Sequence, residues 1–104
     1  MKVYTFLTDG FETVEALAVI DILRRAGIEV ETVSITGNEQ VCSAQNITVK
    51  ADTLFKAQPV CKEDVLFLPG GPGHKQYNEC KPLLKLLEKH HAEGLLQSVQ
   101  HRVF

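Results

Sequence analysis

The sequence predicts an α/β fold, a doubly wound and mostly parallel sheet with a small β-hairpin excursion beside it. Three observations carry this expectation. Val65-Leu66-Phe67-Leu68 is an apolar run without polar alternation, the pattern of a strand buried on both faces, and it stops in the turn Pro69-Gly70-Gly71-Pro72-Gly73-His74. A β-rich run from Val3 to Leu7 leads into an amphipathic helix and then a second β-rich run, Ile28 to Ile35. That order is the β-α-β unit of a parallel sheet. A leucine-bearing helix after the glycine turn leads to Leu95–Val99, expected as the next parallel strand.

The first strand is broken by Thr8-Asp9-Gly10. The helix is expected over Phe11 to Ala26. Val14, Leu17, Ala18 and Ile22 form one apolar stripe, and Ala16, Val19, Ile20 and Leu23 form a second. That face is wider than one sheet contact requires, so a second partner surface, such as another subunit, is expected there. Arg24 and Arg25 suit the negative end of the helix dipole, Asp21 is spaced to pair with either, and Gly27 can close the helix in a left-handed conformation. After the second strand comes the turn Thr36-Gly37-Asn38-Glu39. Val41–Ser43 and Asn46–Lys50 read as the hairpin, because Ile47 and Val49 alternate with Thr48 and Lys50. Ala51 to Lys62 is a mixed connector. The later helix starts at Pro82, carries Leu83, Leu84, Leu86 and Leu87, and is closed by Gly94, with His90 and His91 expected on its surface.

The candidate site lies where the central strand ends. Ligands of open α/β sheets bind at the carboxyl ends of the strands, and Gly70 and Gly71 let backbone N–H groups approach an anion or a developing oxyanion. Glu15 lies one turn into a helix that begins at the same sheet edge. Its face is otherwise apolar, so it reads either as a buried acid able to donate a hydrogen bond or as a boundary residue reaching solvent. His74 reads as a site residue or as an exposed loop histidine.

At 104 residues the chain is expected to form one domain, residues 1–104. A net charge of −2 gives no reason to expect nucleic acid or an anionic membrane as a partner. No apolar run approaches the roughly 20 residues of a membrane span, and the start does not resemble a signal peptide, so a cytoplasmic location is expected. Cys42, Cys61 and Cys80 are widely spaced without a metal-ligand pattern and read as free thiols. No cofactor or metal motif is present. A receiver domain would need an aspartate where Pro69 and Gly70 stand, and a dinucleotide-binding turn would need G-x-G-x-x-G after the first strand.

Several stretches taken together resemble the DJ-1/PfpI family, in particular its bacterial ThiJ-type branch. Asp9-Gly10-Phe11-Glu12-Thr13-Val14-Glu15-Ala16 is similar to the family's D-G-F-E-x-x-E-A opening, and Asp21-Ile22-Leu23-Arg24-Arg25-Ala26-Gly27 to its D-x-L-R-R-A-G helix end. Val33-Ser34-Ile35, Ile47-Thr48-Val49-Lys50-Ala51-Asp52 and Leu68-Pro69-Gly70-Gly71 follow in matching order over about residues 2 to 95. The resemblance implies a flavodoxin-like dimer with a reactive cysteine on a strand-to-helix elbow. It also implies that Glu15 hydrogen-bonds that cysteine and lowers its pKa, and that the Gly71 N–H helps form an oxyanion site. The implied substrates are small reactive carbonyl compounds, in glyoxalase or deglycase reactions. Chaperone-like or oxidative-stress roles are also implied.

The family elbow reads approximately A-A-I-C-A-A-P, whereas here the corresponding stretch is Leu95-Leu96-Gln97-Ser98-Val99-Gln100-His101-Arg102-Val103-Phe104, without cysteine. Leu96 to Phe104 can be spelled TTG CAG TCT GTG CAG CAC CGA GTG TTT. Read from GCA, that string gives A-V-C-A-A-P-S-V. The expectation is a frameshift near Gly94 to Leu96 that removes the nucleophile and leaves the fold incomplete at its C-terminal end. The nucleotide sequence through these codons decides it. Poor stability is expected unless a partner covers the exposed sheet face.

Overall fold

A computed structural model describes residues 1–56 and 58–92. The expected strand at Leu95–Val99, the closing Gly94 and the elbow stretch lie outside the described residues.

Two sheets are formed among the described residues. The larger has the order β5-β2-β1-β6, with β1 at Lys2–Leu7, β2 at Glu29–Ser34, β5 at Thr53–Leu54 and β6 at Val65–Phe67. Each of its pairings is parallel. β3 (Gln40–Cys42) and β4 (Thr48–Lys50) pair antiparallel as the expected hairpin, with Val41 opposite Val49. Helix α1 spans Thr13–Arg25 and links β1 to β2; α2 (Lys75–Glu79) and α3 (Lys81–Ala92) follow a short 3₁₀ turn at Pro72–His74.

Period-two alternation sorts the strand residues onto two covered faces. Tyr4, Phe6, Val33, Leu66 and Leu68 pack with Tyr77 of α2 and with Leu83 and Leu87 of α3. Val3, Val30 and Phe67 pack on the other face with Ile20 of α1, flanked by Leu17, Val19 and Leu23. β6 is thus covered on both sides, as its unbroken apolar run requires.

The structure departs from the expected layout chiefly at the start of α1, in the connector, in the loop before Pro82 and at His90. α1 starts at Thr13 and not at Phe11, because Phe11 forms a parallel bridge with Ser43 and is buried under the hairpin. The connector contains β5, two residues long, and the loop before Pro82 contains α2; neither is long enough to show a period. His90, expected on the surface, is buried at 2% exposure. It follows Leu83 and Leu87 on the inner stripe of α3, so packing of that stripe carries it inward.

Other expectations hold. Gly27 takes φ +80° just after the helix, Arg25 pairs with Asp21 at 2.9 Å, and Arg24 reaches instead to Asp52 at 2.8 Å. Of the two apolar stripes on α1, Ala16 and Ile20 turn inward while Val14, Ala18 and Ile22 are exposed.

Candidate functional site

β1 and β6 are parallel neighbours, so the loops after them emerge side by side at one sheet edge. α1 rises from the first loop and Gly70-Gly71 form the second. Glu15 Oε1 accepts the Gly70 N–H at 3.0 Å, and the Gly70 carbonyl accepts the Glu12 N–H at 2.9 Å. The first turn of α1 therefore holds Gly70 through both its N–H and its carbonyl. A Cβ at position 70 would stand 3.2 Å from Glu15 Oε1. Glycine is what lets the carboxyl group come this close to the backbone.

Gly71 has φ +129°, and a Cβ there would lie 2.5 Å from the Gly10 carbonyl oxygen. Such a conformation is open to glycine and strained for any residue with a side chain. The Gly73 N–H donates to the same Gly10 carbonyl at 3.2 Å, and a Cβ on Gly73 would run into the Asp9 carbonyl. The two loops lie backbone against backbone. The His74 N–H and Nδ1 are each 3.0 Å from the Gly71 carbonyl, which can only accept, so Nδ1 carries a proton and His74 closes its own loop. His74 is half-buried, and its Nδ1 bond to the turn fixes the orientation of the ring.

Further groups at this edge give no local signal in the sequence. The Gly10 N–H donates to the Cys42 carbonyl at 2.8 Å, and the Cys42 N–H donates to Asp9 Oδ1 at 3.0 Å. Thr13 Oγ1 is hydrogen-bonded to Ser43 Oγ at 2.6 Å and to Gln45 Oε1 at 2.7 Å. On the other side, Thr8 Oγ1 is hydrogen-bonded to Gln76 Oε1, while Gln76 Nε2 donates to the Asp9 carbonyl at 3.4 Å. The hairpin and α2 thus brace the Asp9-Gly10 turn from opposite sides. Each contact spans at least 30 residues, so only the folded chain reveals it.

Tyr77 donates its hydroxyl to the Phe6 carbonyl at 2.7 Å. Burial, and to a smaller extent the charge of Glu15, pushes this phenol well above its ordinary pKa, which keeps it a donor. Among the described residues no hydrogen bond joins Glu15 to Cys42, Cys61 or Cys80, and no three His, Cys, Asp or Glu side chains are grouped to hold a metal ion. None of the described helices is long and apolar enough to cross a membrane.

Comparison with known proteins gives this edge a context. The profile of the DJ-1/PfpI family matches residues 1–98. Protein DJ-1 homolog B of Arabidopsis thaliana is 36% identical over 98 residues, which are 93% of this chain and 22% of that protein. Parkinson disease protein 7 homolog of Danio rerio is 30% identical over 101 residues, 94% of this chain and 53% of that one. The oxidized DJ-1 of Toxoplasma gondii superposes with a TM-score of 0.84 at 34% identity, covering 91% of this chain and 52% of that structure. DJ-1beta of Drosophila melanogaster gives 0.83 at 30% identity, with 91% and 52% covered. The fold is flavodoxin-like, as in these structures, and the chain spans about half of their length.

Proposed function

The chain belongs to the DJ-1/PfpI family, and from that membership we propose that it carries two walls of a family cysteine site, Glu15 and the Gly70-Gly71 turn, without the nucleophile. In the reaction that the resemblance implies for full-length members, a thiolate on the elbow attacks the carbonyl carbon of small reactive aldehydes, as in a glyoxalase or deglycase. The acid at the position of Glu15 hydrogen-bonds that thiolate, and N–H groups of the glycine turn stabilise the oxyanion formed from the carbonyl. The observation that carries the reading is the 3.0 Å bond between Glu15 and Gly70, which joins the two walls. Positions 95–104 contain no cysteine, so this chain holds the scaffold of the reaction and does not turn over substrate.

Incubation with methylglyoxal is expected to show loss of aldehyde no faster than buffer. Turnover that survives replacement of Cys42, Cys61 and Cys80 by serine would overturn the assignment of the missing group as a cysteine. A cytoplasmic setting belongs to the same reading, supported by three cysteines that are all free thiols.

A second reading, a non-catalytic dimerising or chaperone-like module, is favoured by one observation. Val14 is 72% exposed and Ile22 64% exposed, with Ala18 between them on one stripe of α1. Pairing of two copies through this stripe would remove it from water. Sedimentation equilibrium is expected to give a dimer that Ile22→Glu converts to monomer. A native chain that stays monomeric at tens of micromolar removes this reading.

A further inference from the structure

Gly70 and Gly71 each carry one N–H and one carbonyl, and the fold ties all of these groups but one. The Gly70 N–H is held by Glu15 at 3.0 Å and the Gly70 carbonyl by the Glu12 N–H at 2.9 Å. The Gly71 carbonyl accepts from the N–H and from Nδ1 of His74, each at 3.0 Å. The Gly71 N–H remains, without a hydrogen-bond partner among the described residues. The peptide that carries it is trans, so this N–H points opposite to the Gly70 carbonyl and therefore away from the first turn of α1.

Gly71 cannot keep that direction by itself. At φ +129° and ψ 169° it occupies a region open to glycine, the residue with the greatest backbone freedom. The Gly10 carbonyl closes one side, since a Cβ at position 71 would come within 2.5 Å of it. Pro72 follows and has no N–H, so the peptide between Gly71 and Pro72 can be anchored only at the Gly71 carbonyl. Both donors on that carbonyl belong to His74. The main-chain N–H is one that any residue except proline would supply. The ring donor is particular to histidine, and the ring is half-buried in the turn.

We infer that His74 is a positioning residue: its ring, through the Gly71 carbonyl, holds the Gly71 N–H in place as the donor to the negatively charged oxygen that a small carbonyl compound develops. His74 has this role only if the turn is the oxyanion wall proposed above, and it is then the side chain that keeps the wall rigid.

Two substitutions separate the donor from the bulk of the ring. Asparagine carries its Nδ2 donor the same number of bonds from the backbone as histidine Nδ1, whereas leucine fills the space without a donor. On the isotope-labelled full chain, the residual dipolar coupling of the Gly71 N–H reports its direction, and formate serves as a small oxyanion titrated against the amide resonances. In the native chain a saturable shift of the Gly71 amide is expected. His74→Leu should change the Gly71 coupling and weaken the formate response there about threefold or more, with the couplings of β1 and β2 as in the native chain. His74→Asn should restore both. An unchanged Gly71 coupling or an unchanged formate affinity in His74→Leu, or a failure of His74→Asn to restore them, overturns the role of His74 and leaves the oxyanion wall standing. A native Gly71 amide that does not respond to formate overturns the wall itself and the role of His74 with it.

Discussion

Glu15 and Asp52 are two carboxylates that the fold uses as acceptors for backbone N–H groups. Glu15→Ala leaves the Gly70 N–H without its side-chain acceptor in a buried turn and is expected to lower stability by about 1–3 kcal/mol in urea unfolding. Glu15→Gln keeps a carbonyl oxygen at the same reach and should retain most of that stability, so equal losses for the two variants would show that charge and not the bond matters. Asp52 works differently. Burial raises its pKa, but the hydrogen bonds of Thr32 and the Arg24 guanidinium outweigh burial and hold it below its ordinary value of 3.8. A depressed folded pKa contributes stability that is complete above the ordinary value and is lost as pH falls through the folded one. Asp52→Asn should therefore unfold at lower urea than the native chain near neutral pH, with the gap closing below pH 3.8. A gap that stays constant down the acid limb would contradict this. The presence of an odd carboxylate at Glu15 was legible in the sequence because its apolar neighbours made it stand out. The order of strands and helices also put it at the edge that holds Gly70, but the bond to the Gly70 N–H, 55 residues away, was not legible.

At the scale of elements, α1 is positioned by what precedes it. The hairpin claims Phe11 through the bridge to Ser43, and Glu12 becomes the N-cap without a side-chain capping bond. Thr13, the first helical residue, ties the helix to the hairpin through Ser43 and Gln45. Thr13→Val keeps the shape and removes these bonds, with an expected loss of about 1–3 kcal/mol. The loss should be local. Amides of Asn46 and Ile47, which donate to Ser43, are expected to exchange with deuterium faster than those of β1, and uniform acceleration across the sheet would show that the hairpin is not a separate unit. The hairpin itself could be read from alternation at Ile47 and Val49. Its contact with α1 could not, because Ser43 and Gln45 are ordinary turn residues by composition.

At the scale of the molecule, the parallel sheet separates two clusters, and the leucines of α3 close one of them. Leu83 is fully buried against the face that carries Tyr4, Phe6, Leu66 and Leu68. Leu83→Ala is expected to lose about 2–5 kcal/mol, through lost transfer energy and the cavity left behind. Ile22, just as apolar but 64% exposed, should lose no more than about 0.5 kcal/mol as Ile22→Ala under conditions where the chain is monomeric. Comparable losses at the two positions, measured by urea unfolding, would show that α1 packs by its other stripe.

The sequence by itself determined the fold class, the order of the main strands and helices, and the glycine turn at the carboxyl end of β6. These follow from short-range rules: a doubly buried strand has no alternation, a helix repeats every 3.6 residues, and some loops accept only glycine. Tertiary structure alone decided which of two equally apolar stripes of α1 met the sheet, that β5 paired with β2, and that His90 went inward. Tertiary structure also set Glu15 against Gly70. In each case the deciding energy is a contact between segments far apart in the chain, and no local pattern records such a contact.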